Sequence, residues 1–247
     1  MSQRYYSNIY WHFTGSPEGV DWFVARCPKD ILDQGVVSDG EKAAETVIKI
    51  LESKKLLATC TEKIVEGVVT LPFCCVTDIP FKDLPSHSPY YGKVAIGFRP
   101  KPVQRQFVPV LYLPKQALPM IRDSIPNRKL EEMGRNMLSG SGGWSEAQGM
   151  RLLAQAALNP EEVEVADKQQ ISGFYSSFVK ITDFDPAPEN TYYREREWRS
   201  IGDFEFGYED VEAVVAPAEQ LQKIRKALGD LGAESVNLIS WEFVESA

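Results

Sequence analysis

The run LPFCCVT at residues 71–77 constrains the fold more than any other stretch of the chain. A strand with one face in water alternates apolar and polar residues, because successive side chains point to opposite faces. This run has too many consecutive apolar residues for that pattern, so it predicts a strand inside a sheet covered on both faces. It stops at Asp78 and Pro80. An interior strand needs neighbours, and several segments qualify. NIYWHFT, residues 8–14, is aromatic and β-branched and ends at Gly15-Ser16-Pro17, so it reads as strand then turn. KVAIGFRP, QFVPVLYL after Pro102, and residues 173–182 read as further strands. VEAVVAP, AEQLQKIRKALGDLG and SVNLISWEF close the chain as strand, helix with a glycine C-cap, and strand.

Covering layers come from amphipathic helices. Between about 41 and 57, Ala44, Val47, Ile48, Leu51 and Lys55 or Leu56 recur at spacings of three and four, which gives one apolar face. Similar patterns at about 117–138 and 145–158 flank the flexible run SGSGG at 139–143. Strands thus occupy both ends and helices the middle, without regular alternation, which predicts an α+β fold with mostly antiparallel sheets. We expect one domain over residues 1–247, with a helical insertion at about 116–160. At 43% hydrophobic and 25% charged the composition is that of a globular protein, and its size allows a core without disulfides or structural metal.

The net charge of -8 argues against a long basic nucleic-acid surface but leaves a local basic groove, and hence a nucleic-acid acceptor, open. Cys27, Cys60, Cys74 and Cys75 form no C-x-x-C pair, and His12 and His87 are the chain's two histidines, so no metal site is expected. The adjacent Cys74 and Cys75 read as small core residues. There is no apolar stretch of signal-peptide or membrane-helix type, which predicts a cytoplasmic protein with no membrane partner. Phosphate-loop, dinucleotide-fingerprint, nucleophile-elbow and zinc-protease signatures are missing.

Three groups remain as candidates for chemistry. In WHFT, His12 points opposite to Trp11 and Phe13 on an alternating strand, beside Thr14. In SHSPYYG, His87, Tyr90 and Tyr91 lie on a turn-rich segment between core strands, a position suited to ligand binding. In YYREREWRSI the alternation puts Glu195, Glu197 and Arg199 on one face and Arg194, Arg196 and Trp198 on the other. Two carboxylates beside an arginine could orient a ribose hydroxyl or stabilise a cation, whereas a solvated edge strand with cross-strand ion pairs would carry the same pattern.

The early H-x-T strand, ILESKKLLAT, FCCVTDIPFKDLPSHSPYYGKVAIGFRP, PVLY and the late EREWR, in that order, resemble AbiGi-type abortive-infection proteins over most of residues 8–215. That resemblance implies a bacterial phage-defence or toxin–antitoxin locus, an antitoxin role in some descriptions, and a cognate partner protein. The chain is also distantly similar to ADP-ribosyltransferases of the His-Tyr-Glu type, in which histidine, tyrosine and glutamate from three strands surround a split antiparallel sheet that binds NAD. His12, Tyr90 or Tyr91, and Glu197 occur in that order. The similarity implies that His12, with Thr14, holds the adenosine-side ribose and that Tyr91 stacks on nicotinamide, with Tyr90 and His87 as further cofactor-binding residues. It implies that Glu197 supports the cationic transition state at C1′, and that Glu195 orients or deprotonates the acceptor. The expected function is NAD-dependent ADP-ribosyl transfer to a macromolecular acceptor, or NAD hydrolysis, without metal; the alternative is a catalytically inactive antitoxin or partner-binding module. On the first expectation the His12 strand lies inside the main sheet next to the strand at 195–200, and Glu197→Gln melts like the parent while losing activity.

Overall fold

The computed structural model describes residues 8–17, 19–38, 40–65, 68–118 and 174–247. Its elements run β1 (Tyr10–Phe13), α1 (Pro28–Gln34), α2 (Gly40–Ser53), β2 (Lys55–Leu56), β3 (Lys63–Val65), β4 (Val68–Val69), β5 (Phe73–Thr77), α3 (Ser88–Tyr91), β6 (Ala95–Phe98) and α4 (Pro100–Gln106). They continue with β7 (Val108–Pro109), β8 (Leu111–Pro114), β9 (Val179–Thr182), β10 (Glu197–Ile201), β11 (Phe204–Glu205), β12 (Val211–Ala216), α5 (Ala218–Asp230), β13 (Asn237–Ser240) and α6 (Trp241–Ser246). Among the described residues the main sheet has seven strands in the order β13-β12-β6-β1-β5-β10-β7, antiparallel except for the β12–β13 pair. The pairs β2–β11, β3–β4 and β8–β9 lie apart from it. This is the expected α+β class with mostly antiparallel pairing.

Both faces of the sheet are covered, as the apolar run 71–77 required. Alternation sends Tyr10, Cys74, Val76, Ile96 and Val214 into one core, against Ala44, Val47 and Leu51 of α2 and Ile224 of α5. Trp11, Ala95, Ala213 and Val215 enter a second core on the other face, closed by Trp241 and Val244 of α6. The α2 contacts recur every three or four residues, so one helical stripe meets the sheet while its other face is solvated.

The sheet is split. β1 pairs with β6 at four positions but with β5 at one, Trp11 opposite Thr77, whereas β5 pairs with β10 at five. Beyond Trp11 a side chain bridges the opening: His12 Nδ1 donates to the Cys75 carbonyl at 2.9 Å, satisfying an acceptor that a continuous ladder would have served. The His12 strand is therefore inside the main sheet as expected, but β5 separates it from β10, which corrects the expected adjacency.

Several boundaries differ for local reasons. α2 ends at Ser53, because Lys54 takes a left-handed φ of 52° and reverses the chain into β2, so Lys55 and Leu56 belong to a strand. Pro100 at the first turn starts a helix between the two expected strands, since proline is pre-set for that position, and QFVPVLYL itself forms β7 and β8. SVNLISWEF is strand to Ser240, whose hydroxyl accepts from Phe243 N and caps α6. β10 starts only at Glu197; Glu195 sits in the 3-10 turn Tyr193–Glu195. The helices expected at 117–138 and 145–158, with the SGSGG link and most of the 116–160 insertion, fall outside the described residues, apart from a 3-10 turn at Lys115–Ala117 and the helical Leu118 at the start.

Gly97 of β6 offers a direct check on the packing at the centre of the sheet. A Cβ there would lie 2.7 Å from Trp11 Cζ3 and 2.6 Å from Ile9 Cγ2, and the buried indole has little room to retreat. Gly97→Ala is expected to lower stability by about 1–3 kcal/mol, as overpacking does elsewhere, read from the midpoint of urea unfolding at unchanged slope.

Candidate functional site

The split opens into a cavity of about 140 Å³. His12 and Phe13 of β1, Cys75 and Thr77 of β5, Tyr91 of α3, Lys180 of β9, and Glu195 and Glu197 around the start of β10 all line it. Pockets that enclose a whole drug-sized ligand run to roughly 300–1,000 Å³, so this one has room for only part of such a molecule.

One side of the cavity is a buried charge network. Lys180 Nζ lies 3.0 Å from Glu197, 3.1 Å from Glu195 and 3.3 Å from Glu62, and 4.0 Å from the centroid of the Tyr192 ring. Arg199, fully buried, donates from Nε to Glu197 Oε1 at 2.8 Å and from Nη2 to Glu197 Oε2 at 3.0 Å and Glu62 Oε2 at 2.6 Å. It also reaches the Ser177 carbonyl at 3.0 Å and stacks over the Phe73 ring. Glu195 accepts from the Tyr91 hydroxyl, and the Thr77 hydroxyl donates to its backbone carbonyl. The two carboxylates converge because Arg196 between them is left-handed, with φ 44°, and is tied to Asp78 by its guanidinium at 3.0 Å and its carbonyl at 3.1 Å. Such a backbone costs a non-glycine residue on the order of 1–3 kcal/mol and is kept where the surroundings over-determine it.

The environments push the two carboxyls apart. For Glu197, burial favours the neutral acid, but Arg199 and Lys180 outweigh it and hold the group down at about 2. For Glu195, burial prevails over Lys180, and Glu197 adds to it, so its carboxyl is raised above the ordinary range. Lys180 stays protonated: burial alone would lower it, and Glu195, Glu197 and Glu62 more than compensate. Burial raises the thiols of Cys60, to about 11, and of Cys75, so both cysteines on the wall are neutral and weakly nucleophilic.

The opposite side is aromatic. His87 stacks on Phe13 at 6.0 Å and on Tyr91 at 6.1 Å. Tyr91 is held by a close backbone contact, Gly15 N donating to the Tyr91 carbonyl at 3.0 Å, and a Cβ on Gly92 (φ 80°) would come within 2.7 Å of Gly15 Cα. His12 is kept neutral by burial, and because its Nδ1 hydrogen goes to Cys75, its Nε2 is left as an acceptor. Trp11 Nε1 and His87 Nε2 are buried with no partner among the described residues. A buried polar atom left unmade costs about 1–3 kcal/mol.

Of the residues singled out in the sequence, His12, His87, Tyr91, Glu195 and Glu197 meet at this cavity. Thr14 does not: its hydroxyl donates to the Ala43 carbonyl at 2.9 Å, which ties β1 to α2. Tyr90 does not either, since neighbours on a helix are turned about 100° apart, and it sits edge-on to Tyr91 at 6.3 Å. The solvated edge strand is also excluded, because Glu195, Glu197 and Arg199 are all buried. Lys180, Glu62 and Tyr112, whose hydroxyl accepts from Glu197 N at 2.8 Å, were not foreseen. A lysine between the β-branched Val179 and Ile181 of a strand was the available signal for Lys180; Glu62 carries none. Among the described residues no group of three His, Cys, Asp or Glu is arranged to hold a metal ion, and no helix is long and apolar enough to cross a membrane.

The pairing of Glu197 has a measurable consequence at acid pH. Its folded-state value is depressed, so the stability it contributes is present above its ordinary value near 4.5 and is lost as pH falls toward about 2. Thermal melts between pH 5 and 2 should therefore show a decline that is weaker in Glu197→Gln. In place of the parent-like melting expected from the sequence, that variant should be less stable than the parent at neutral pH by about 3–5 kcal/mol, because it removes the buried carboxylate that Lys180 and Arg199 share.

Comparison with known proteins places the chain. DarT of Thermus sp. 2.9, solved in complex with carba-NAD+, is similar over 94% of this chain and 94% of its own, at 10% identity and a TM-score of 0.37. No curated protein matches. The family described as "Putative abortive phage resistance protein AbiGi, antitoxin" matches residues 46–228, a span that includes β5, α3, β9 and the Glu195–Arg199 segment. With three quarters of its length matched, the chain belongs to the AbiGi family of abortive phage resistance proteins.

Proposed function

We propose that the cavity binds the nicotinamide-ribose end of NAD and cleaves the bond between C1′ and the nicotinamide nitrogen, passing ADP-ribose to a macromolecular acceptor or to water. One observation carries this reading: His12, Tyr91, Glu195 and Glu197, spread over most of the chain, face one cavity in the sheet split. His12 Nε2 would accept from a ribose hydroxyl. Tyr91 supplies an aromatic face beside His87. As the C1′–N bond breaks, its electron pair leaves with nicotinamide and neutralises the ring, while C1′ becomes an oxocarbenium ion. The ionised Glu197 is a fixed negative charge aimed at that developing cation, the arrangement in which preorganised electrostatics contributes most. The acceptor then bonds to C1′, and its proton passes to Glu195, whose raised pKa suits a general base better than that of an ordinary carboxylate. The setting would be a cytoplasmic defence locus with a cognate partner protein.

A second reading has its own support. Both oxygens of Glu197 are occupied by Arg199 and Lys180, and a carboxylate so neutralised stabilises a cation less. On this reading the protein is a catalytically silent antitoxin that uses the cavity, or its rim, to hold a partner.

Glu195→Gln separates the two better than Glu197→Gln, because Glu195 meets one cation, Lys180, where Glu197 meets two, so the change should cost less stability. With millimolar NAD and a bacterial lysate as acceptor source, we expect the parent to release nicotinamide and Glu195→Gln to do so about 100-fold more slowly. Equal rates would remove Glu195 from the chemistry. No heat of NAD binding and no nicotinamide release from the parent would sink the transferase reading and leave the silent antitoxin.

A further inference from the structure

The chain carries a net charge of -8, yet one concave stretch of its surface is basic. Asn8, Arg99, Lys101, Gln104, Arg105 and Glu212 line an open groove of about 740 Å³, which shares no lining residue with the cavity in the sheet split. Three cations thus face one carboxylate. Arg99, just before α4, donates its backbone N–H to the Asp210 carbonyl at 2.8 Å and holds its Nε 3.0 Å from Glu212, which leaves the donors on its two terminal nitrogens without a partner among the described residues. Lys101 and Arg105 are exposed and stand four residues apart on α4, where like charges repel, and neither is ion-paired among the described residues. Gln104 Nε2 donates to the hydroxyl of the buried Tyr10 at 3.1 Å, so α4 is tied to β1 and presents these side chains from a fixed base.

We infer that this groove binds a short chain of phosphates, free or as the tail of a nucleotide, through Arg99, Lys101 and Arg105. Guanidinium and ammonium groups make their strongest hydrogen bonds to oxyanions, and a phosphate chain offers several charged oxygens for three cations to share. An anion set between Lys101 and Arg105 also relieves their mutual repulsion. The volume lies in the range of small-molecule sites, roughly 300–1,000 Å³. Among the described residues no aromatic ring lines the groove, so there is no platform for stacked bases, and the acidic remainder of the chain repels a long polyanion that runs beyond it. Both facts favour a compact anion over a nucleic-acid strand. Glu212 is the lining group that opposes such a ligand.

The test is calorimetric titration of the full chain, without divalent cations and at about 0.15 M salt, where diffuse surface charge is screened. The probes are inorganic tripolyphosphate, ATP, orthophosphate, citrate and an oligothymidylate. Tripolyphosphate should bind at least about tenfold more tightly than orthophosphate or citrate. The double change Lys101→Gln and Arg105→Gln should weaken tripolyphosphate and ATP at least about tenfold, at the melting temperature of the parent, since both side chains are exposed. Glu212→Gln acts in the opposite direction: it removes the opposing charge and should tighten tripolyphosphate about threefold or more, which decides the matter if the double variant does not fold. ATP binding as tightly as tripolyphosphate marks the free chain as sufficient, and tighter ATP binding marks a nucleotide; both support the site when the double variant weakens them. Tripolyphosphate that binds no more tightly than citrate, keeps its affinity in the double variant, or is unmoved by Glu212→Gln would overturn the inference. An oligothymidylate that outcompetes tripolyphosphate would overturn it as well.

Discussion

Glu62, Glu195 and Glu197 share two buried cations, Lys180 and Arg199, and much of the architecture depends on how that charge is satisfied. Moving an ion out of water costs several kcal/mol, and the attraction of a partner offsets this only where geometry is good and the remaining donors and acceptors are filled. Here they are filled from separate parts of the chain. Glu62 precedes β3, Lys180 comes from β9, and Glu197 and Arg199 from β10, so the small β3–β4 and β8–β9 pairs are pinned to the main sheet through one cluster. Tyr91, Tyr112, Tyr192 and the Ser177 carbonyl complete the shell. Such a cluster adds little net stability compared with apolar packing, but it makes any alternative arrangement costly, since each would leave a buried ion unpaired.

The split between β1 and β5 gives the cluster something to face. A continuous ladder would have closed the space with backbone hydrogen bonds. Instead the two strands share one registered pair, and the imidazole of His12 serves the carbonyl left open. The result is an asymmetric cavity, with charge on the β9–β10 side and stacked rings on the α3 side. Within the charged side, two glutamates two positions apart differ in kind. Glu197, held between an arginine and a lysine, remains an anion, while burial raises Glu195, with a phenol and a shared ammonium, above the ordinary carboxylate range. Neighbouring carboxyls driven in opposite directions are the arrangement by which one site can stabilise a cation and move a proton.

Membership in the AbiGi family points to abortive phage resistance as the setting, and the description of that family includes the word antitoxin. It does not supply a reaction, because chemistry belongs to sites and not to folds or family names. The cavity is what distinguishes the two roles: an enzyme needs Glu195 and Glu197 available to a ligand, whereas a silent module needs only the surface they support.

Periodicity and composition made the secondary elements legible: the run at 71–77, the apolar stripe of α2 and the closing strand–helix–strand all depend on which face is buried, and burial is written in residue order. The order of strands in the sheet was not legible, because pairing partners are distant in sequence, and so β5 came between β1 and β10 unannounced. Of the site, the residue types and their grouping could be seen in WHFT, SHSPYYG and EREWR. What Thr14 and Tyr90 do could not, since their roles turn on which neighbour each hydroxyl or ring happens to meet. The sequence by itself determined that a glutamate pair, an arginine, two histidines and a tyrosine would lie on or beside strands, and left open whether the glutamate strand was buried. Only the tertiary structure decided that Lys180 and Glu62 join them and that the sheet opens where they meet, because the charge balance of a buried site is a sum over every chain segment that reaches it.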